Sequence, residues 1–429
     1  MSDKSSTPAG KTRKRPYYGW YITAAGTLGN ALQGGLVFWS MGIYTSTFED
    51  QFNAPRARVT LIETFMLVTV NLLSPLMGWW VDRRSARQLV ATGTASLGLA
   101  FIVMSFAGSL VHIWAAYALL IPLGVLALGV LPSAALISRW FKKRRGLALG
   151  ISLTGSSIGG AIAPPLITYL FMAWGWRAAF LALGIFVLCL APVFYRVLVN
   201  FPEDAGLECE TDDQKSRESL SAADDVEWEI RDLLKTSTLW WQTLISGCLL
   251  AVALGLLANL SLHAKDLGVT GQKTALLYSI ISVCSFSGKI GFGWLMDRIG
   301  LKMSGALTVA FLIGALMALM AFPSYPGLVA GSLLIGLGFG GVTPLWTNMP
   351  ARSFGARSVG RALGIMNPLH IPITAPSAPL AGYISDTTGS YQLVFMIYSG
   401  LCILAAVGLY FMQPPVKRCR AKSDSVAES

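Results

Sequence analysis

Charge is scarce in this chain. Only 13% of its residues are Asp, Glu, Lys or Arg, against about 25% in a soluble domain, so a water-solvated globule of this size is excluded. Histidine is scarcer still. His112, His263 and His370 are the only three, too scattered to hold a metal. The six cysteines (Cys189, Cys209, Cys248, Cys284, Cys402 and Cys419) have neither ligand-like spacing nor a disulfide framework, and most lie in apolar runs as packing residues. No P-loop occurs, so ATP-driven work has no motor here. No nucleophile and base fall into a recognisable constellation. We therefore expect no enzyme, no cofactor and no metal. No cleavable leader is expected either, because the N-terminus is polar and the first apolar stretch is too long for one.

What is present is apolar surface. Hydrophobic residues make up 54% of the chain and mean hydropathy is +0.57. Glycine occurs 44 times, as expected where membrane helices pack closely. Apolar runs long enough to cross a bilayer recur throughout. They predict an all-α membrane protein with twelve transmembrane helices at 19–46, 59–81, 88–108, 112–136, 146–170, 177–199, 239–263, 273–295, 303–322, 326–349, 360–383 and 391–412. Tyr17, Tyr18 and Trp20 form an aromatic belt at the first entry. The expected organisation is a polar tail (1–16), a six-helix half (17–199), a linker (200–238), a second six-helix half (239–412) and a second tail (413–429). The linker carries twelve acidic and four basic residues, so its first part reads as solvated chain. Its end differs: Val226, Ile230, Leu233 and Leu234 have helical spacing. They predict an amphipathic helix running along the interface into Trp240 and Trp241.

The net charge of +11 does not call for nucleic acid, because the positions of the charges explain it. The tails and alternate breaks hold 27 of the 33 Lys and Arg residues. Arg56, Arg58, Arg177, Lys265 and Lys273 lie on the other side, and Lys289 lies within a span. That asymmetry places both termini in the cytoplasm. Clusters such as Lys142, Lys143, Arg144 and Arg145 are suited to anionic lipid headgroups, so the bilayer itself is a partner.

The two halves are copies. Gly78-Trp-Trp-Val-Asp82-Arg83 returns as Gly293-Trp-Leu-Met-Asp297-Arg298, with the aspartates 215 residues apart. The segment from Arg139 to Ile151 returns from Arg352 to Ile365, with Gly146 and Gly360 214 apart. The same shift at two separate loops indicates parallel halves, a transporter plan with the site at their interface. Residues 78–87 resemble the signature loop between spans 2 and 3 of the major facilitator superfamily, G-x-x-x-D-R-x-G-R-R. Ser85 stands where that signature has glycine, and the second copy keeps Gly300. An acid at a helix end facing loop arginines makes a latch that can form and break; its members here are Gly78, Asp82, Arg83, Arg87, Gly293, Asp297 and Arg298. Within the superfamily, Tyr17-Tyr-Gly-Trp20, the run from Arg139 to Gly146, and Pro202-Glu-Asp-Ala-Gly-Leu207 are similar to the monocarboxylate porter and oxalate–formate antiporter group. The last is similar to a motif of many bacterial members, so a bacterial inner (plasma) membrane is the expected location. A monomer is the expected working unit.

The chemistry inside the membrane is sparse and basic. A lysine at a bilayer centre costs about 2.5–3.5 kcal/mol on insertion scales, and Lys289 sits in an apolar run about 12 Å from the end of span 8. His370 lies about 15 Å into span 11, among Pro368, Pro372, Pro376 and Pro379, which must kink that helix. Neither has an acidic neighbour at helical spacing. Two unneutralised bases beside a cavity favour an anion, most simply a carboxylate. The resemblance implies the same, because the group has a substrate-binding arginine at the position of Lys289. Asn30, Gln33, Tyr117, Asn259, Trp346 and Asn367 are further candidates for binding a substrate oxygen, and Asn348 is a weaker one. Proton-coupled animal members have an aspartate where Ser285 stands, so a coupled proton would fall on His370 or on Glu63, the one carboxylate clearly inside a span. Anion exchange is the other expectation. Two alternatives remain: a drug or sugar carrier of the same superfamily, and a non-transporting membrane sensor on this scaffold.

Overall fold

The computed structural model describes residues 17–83, 85–141, 145–202, 228–354 and 358–413. These fold into helices that nearly all run the thickness of a bilayer. Helix α1 is Gly19–Gln33, a π-helical segment Gly34–Trp39 and Met41–Phe52. Helix α2 is Arg56–Arg83 and α3 is Ala86–Ser105. Helix α4 runs through Leu110–Ala115, a second π segment Ala116–Leu120, Ile121–Leu128 and Val130–Trp140. Helices α5 and α6 form the continuous stretch Arg145–Val197, divided at Gly175, and α8 and α9 form Gln272–Ala321, divided at Gly300. Between them α7 is Ser237–Asp266. Helix α10 is Tyr325–Phe354, α11 is Val359–Thr374 with Ser377–Thr388, and α12 is Gln392–Phe411. Among the described residues, nine stretches are individually long and apolar enough to cross a membrane. The set is consistent with twelve crossings, and the chain is an all-α, multi-pass membrane protein.

The boundaries follow local chemistry. Gly175 and Gly300 have φ of +76° and +83°, which L side chains rarely adopt, so each glycine turns one span directly into the next. At the first copy of the signature, Ser85 instead has φ −67° and ψ 114°, and its Oγ accepts from the Gln88 N–H. The serine is thus an N-cap for α3. The departure from the signature exchanges a glycine turn for a capped helix start. The spans run longer than hydropathy suggested, reaching Phe52, Trp140, Phe354 and Thr388, because polar outer turns continue the helices past the apolar core.

The duplication is visible in side-chain contacts. The Arg87 guanidinium lies 3.9 Å over the Tyr195 ring, joining the start of α3 to the end of α6. At the 215 offset these are Lys302 and Tyr410, where the Lys302 ammonium donates to the Tyr410 carbonyl at 3.1 Å. The same joint recurs in both halves with different chemistry. The Asn200 side chain accepts from the Arg87 N–H at 3.1 Å and donates to Ser85 Oγ at 2.8 Å. In the second copy the Arg298 guanidinium stacks 4.7 Å over Trp294 of its own helix. The side chains of Asp82, Arg83 and Asp297, and the surroundings of Gly78, lie outside the described residues. So do residues 203–227, including Val226.

The described end of the linker is a single helical turn, Ile230–Lys235, shorter than the predicted amphipathic helix. Leu233 is buried, while Ile230 and Leu234 are exposed. What holds it is Trp228, whose N–H donates to Ser358 Oγ at 3.0 Å and whose carbonyl accepts from Arg361 at 3.2 Å. Its ring meets Phe354 edge-on. The linker therefore docks on the ends of α10 and α11.

Candidate functional site

The two halves meet along α1, α2 and α5 on one side and α7, α8, α10 and α11 on the other. Below, the basic side is the one carrying most Lys and Arg, and the far side is its opposite. At the far side a part-buried ionic cluster ties four helix ends together. Arg56 makes a fork to Asp266, with bonds of 2.6 and 2.5 Å, while its Nε donates to Glu49 at 2.9 Å. Its Nη1 also donates to Ser385 Oγ at 3.0 Å. Lys265 reaches back from the second half to Glu49 at 2.8 Å and to Asp50. The Ala57 N–H donates to the Asp386 carboxylate at 3.2 Å. The Arg56 side chain is only 13% exposed and Glu49 17%, whereas Asp266, at 38%, and Asp50, at 58%, reach water, so the network is part-buried and partly screened.

Below the cluster the halves stay in contact for several turns. Thr45 Oγ1 donates to the Ala258 carbonyl at 3.1 Å, and Ser261 Oγ donates to the Gly42 carbonyl. Thr64 Oγ1 donates to the Ala375 carbonyl at 2.5 Å, at the break within α11. Ser279 and Ser282 donate to the carbonyls of Ala161 and Ser157 at 2.8 and 2.7 Å. Trp39, at the end of the first π segment, packs edge-on against Phe339 with centroids 5.5 Å apart. Among the described residues, every hydrogen bond between halves lies between the far side and the level of Ser282. The bundle is therefore sealed at the far side.

The candidate site lies just beyond the seal. Ser282 and Lys289 are seven residues apart and share one stripe of α8, so Lys289 faces the other half about 10 Å nearer the basic side. Trp346 lies seven residues beyond Phe339 on α10, at a matching depth, with its ring packed against the buried cluster that holds Trp228, Phe354 and Met366. Gln33 precedes Trp39 by six residues on α1, about 9 Å in the same direction. Three facing helices thus bring Lys289, Trp346 and Gln33 to one depth below the Trp39–Phe339 seal. Lys289 and Gln33 are half-buried and make no hydrogen bond or ion pair with any described residue. The Trp346 Nε1–H is buried without an acceptor. Asn367 on α11 is also half-buried and unbonded among the described residues. Lys289, the Trp346 indole N–H and the Gln33 amide thus offer donors at one depth with no acceptor among the described residues, and Asn367 is a further unbonded amide on α11.

The other candidates are engaged elsewhere. His370 is 4% exposed and shares a 2.9 Å hydrogen bond with Ser246 Oγ of α7. Asn30 donates to the Gly26 carbonyl, Ser133 Oγ and Ser152 Oγ at 2.9, 3.3 and 3.2 Å, clasping α1 to α4 and α5. Asn259 donates to the Gly255 and Ala378 carbonyls and accepts from Tyr391, inside the second half. Tyr117 is fully buried in the second π segment, and its hydroxyl has no partner. It interacts with Tyr44, which belongs to the far-side aromatic cluster of Phe48, Phe171 and Phe180. Asn348 donates to Pro344 of its own helix. Glu63 is buried at 4% exposure, and its Oε2 has no partner.

The family model of the Major Facilitator Superfamily matches residues 26–371. The chain belongs to the major facilitator superfamily. Its proteins are transporters, not enzymes. The chain is 28% identical to "Monocarboxylate transporter 12" of Rattus norvegicus, over 92% of this chain and 85% of the relative. It is 27% identical to "Monocarboxylate transporter 13" of Bos taurus, over 92% of this chain and 89% of that one. Among solved structures it matches a bacterial homolog of the human lysosomal transporter Spinster in an inward-facing, occupied conformation. The TM-score is 0.69 at 15% identity, covering 92% of this chain and 93% of that one. The unoccupied, inward-facing form matches at 0.67. A small-molecule substrate follows from the family. These sequence relatives are vertebrate proteins and lend no support to a bacterial inner membrane.

The sealed cluster gives a direct expectation. Arg56→Gln removes the fork to Asp266 and the bond to Glu49, a loss of about 1–2 kcal/mol for a part-buried pair network in contact with water. The far side should open about tenfold more often. The check is the rate at which a membrane-impermeant maleimide labels Thr45→Cys, which should rise by that factor in the Arg56→Gln background.

Proposed function

We propose that the protein moves a small organic anion, a mono- or dicarboxylate, across the membrane by alternating access between its two halves. The observation that carries this is Lys289. It is an intramembrane cation facing the other half, without an acidic partner among the described residues, and level with the free donors of Gln33 and Trp346. An uncompensated cation at that depth is costly, and a substrate carboxylate is the group that relieves it through a charge-assisted hydrogen bond. Lysine is a single charge point on a flexible stem, so it accepts carboxylates of more than one geometry than an arginine fork would. Asn367 adds a donor from α11. His370 supports the site from behind, holding α11 against α7.

The sealed state opens toward the basic side, which the Lys and Arg distribution assigns to the cytoplasm, with both termini there. The cycle then rocks the halves about the Trp39–Phe339 level, breaking the Arg56 cluster as the opposite face closes. The signature latches at Asp82 and Asp297 are the counterpart contacts for that second state. The names of the vertebrate relatives support the carboxylate class.

The test is a thermal-shift screen of the purified protein with lactate, pyruvate, oxalate, malonate and succinate, against glucose and a cationic dye. Stabilisation by one of the acids and by neither control is expected. A response confined to the sugar or the cation would remove the carboxylate assignment. Uptake of the stabilising acid into proteoliposomes, with a pH gradient or with internal anion, then separates proton symport from exchange.

A further inference from the structure

Glu63 is a buried acid that the anion site does not use. It lies on α2, seven residues and about 10 Å from Arg56 on the same stripe, so it faces the seam between the halves. The next residue, Thr64, makes the bond to Ala375 across that seam. Glu63 is 4% exposed, its Oε2 is fully buried, and it has no hydrogen bond or ion pair with any described residue. The titratable groups that interact with it are two phenols of the second half, Tyr278 and Tyr398. Both hydroxyl protons are committed elsewhere: Tyr278 donates to the Leu257 carbonyl at 2.8 Å and Tyr398 to the Ser377 carbonyl at 3.0 Å. The charged groups of the rim, Arg56, Glu49, Lys265 and Asp266, are paired with one another two turns away. On the inner part of α11, His370 is turned to Ser246.

An ionised carboxylate in this position would have neither cation nor donor among the described residues, which strongly disfavours the charged form. A neutral carboxyl avoids most of that penalty. When the far side opens, the seam parts at Thr64 and Ala375, and water reaches the same group. We propose that Glu63 is a proton-binding switch on which the far side closes, so that closure takes up one proton and opening releases it. This rests on the alternating-access part of the proposed function, not on the carboxylate assignment. No covalent bond changes: one proton passes from far-side water to a carboxylate oxygen and returns. Because the closed state binds more protons, closure is favoured as pH falls and lost as pH rises. For a single proton the open-to-closed ratio changes by up to tenfold per pH unit across the titrating range.

The experiment measures the far-side distance by pulsed electron spin resonance. Nitroxides are placed at Gln51→Cys and Gln392→Cys in the full chain with its native cysteines replaced by serine. The expected result is a closed population that grows as pH is lowered, by up to tenfold per unit. Glu63→Gln, a neutral isostere, should be closed at every pH, and Glu63→Asp should restore the dependence. A parent protein indifferent to pH, or a Glu63→Gln variant that still responds fully, would overturn the proposal. Because no substrate is added, an error in the substrate class leaves this outcome untouched. Failure of the Gln variant to fold is separated by the Asp variant, whose flat response would likewise reject the switch.

Discussion

Lys289→Gln is expected to abolish uptake of the carboxylate that stabilises the protein, while leaving the chain folded and at the membrane. A hydrogen bond to a charged group contributes about 1.5–3 kcal/mol, which is roughly 10- to 150-fold in affinity. The loss should fall on binding, because the amide keeps one donor and loses the charge. Lys289→Arg should retain uptake with a narrower choice of acids, since a planar fork fixes carboxylate geometry more tightly. Folding should not suffer. Lys289 makes no bond within the described protein, so its removal breaks none, and taking a cation out of an apolar run is favourable for insertion. The measurement is uptake of the radiolabelled acid together with surface quantification. Unchanged uptake at unchanged expression would remove Lys289 from the site. A parallel loss in Gln33→Ala and Trp346→Phe, each smaller, would locate the substrate at the common depth of the three. Trp346→Phe keeps an aromatic ring there while deleting the N–H that has no acceptor here, along with the five-membered ring that carries it.

How much of this was legible in the sequence depends on the residue. The class, the two halves and the superfamily were plain, because hydropathy, the 215-residue offset and the signature loop are linear features. Lys289 was plain too, since a lysine in an apolar run is conspicuous wherever the helix faces. The neutral donors were not. Asn30 and Gln33 lie three residues apart on α1, yet Asn30 turns inward to Ser133 and Ser152 while Gln33 is half-buried and bonds no described residue. A turn of about 60° around the helix separates the two outcomes, and apolar surroundings on every side leave no amphipathic pattern to read it from. His370 was readable as a membrane base, but its bond to Ser246 joins residues 124 positions apart. The ionic cluster was present as Arg56 and Lys265, seen only as the minority of cations on the far side. Glu49, Asp50 and Asp266 stood near them in sequence. That acids and bases at the ends of four helices meet is a property of one closed state, which composition does not encode.

The closed state has a steric requirement at Gly42 that yields the second large effect. Here α1 crosses α7 and α8 so closely that a β-carbon on residue 42 would overlap the Tyr278 hydroxyl and come within 2.8 Å of the Leu257 carbonyl oxygen. Tyr278 cannot swing aside freely, because its hydroxyl donates to that carbonyl and accepts from the Ser261 N–H at 3.2 Å. The carbonyl is backbone, so relief needs α7 itself to move, which pulls on the Ser261 and Thr45 bonds beside it. The three nearest atoms in the way all belong to the other half. The clash of Gly42→Val with them is relieved once the halves part on the far side. It is a wedge against one conformation. Overpacking costs about 1–3 kcal/mol, or roughly 5- to 150-fold in the population of the closed state. The variant should fold and bind external substrate while net uptake falls by that order. Gly400→Val is the control, because a β-carbon there meets nothing within 4 Å. The far-side distance between Gln51→Cys and Gln392→Cys should lengthen in Gly42→Val and stay as in the parent in Gly400→Val. A Gly42→Val protein with the parent's distance and uptake would mean that α1 slides along α7 to make room, and that the seam at Gly42 does not limit the cycle.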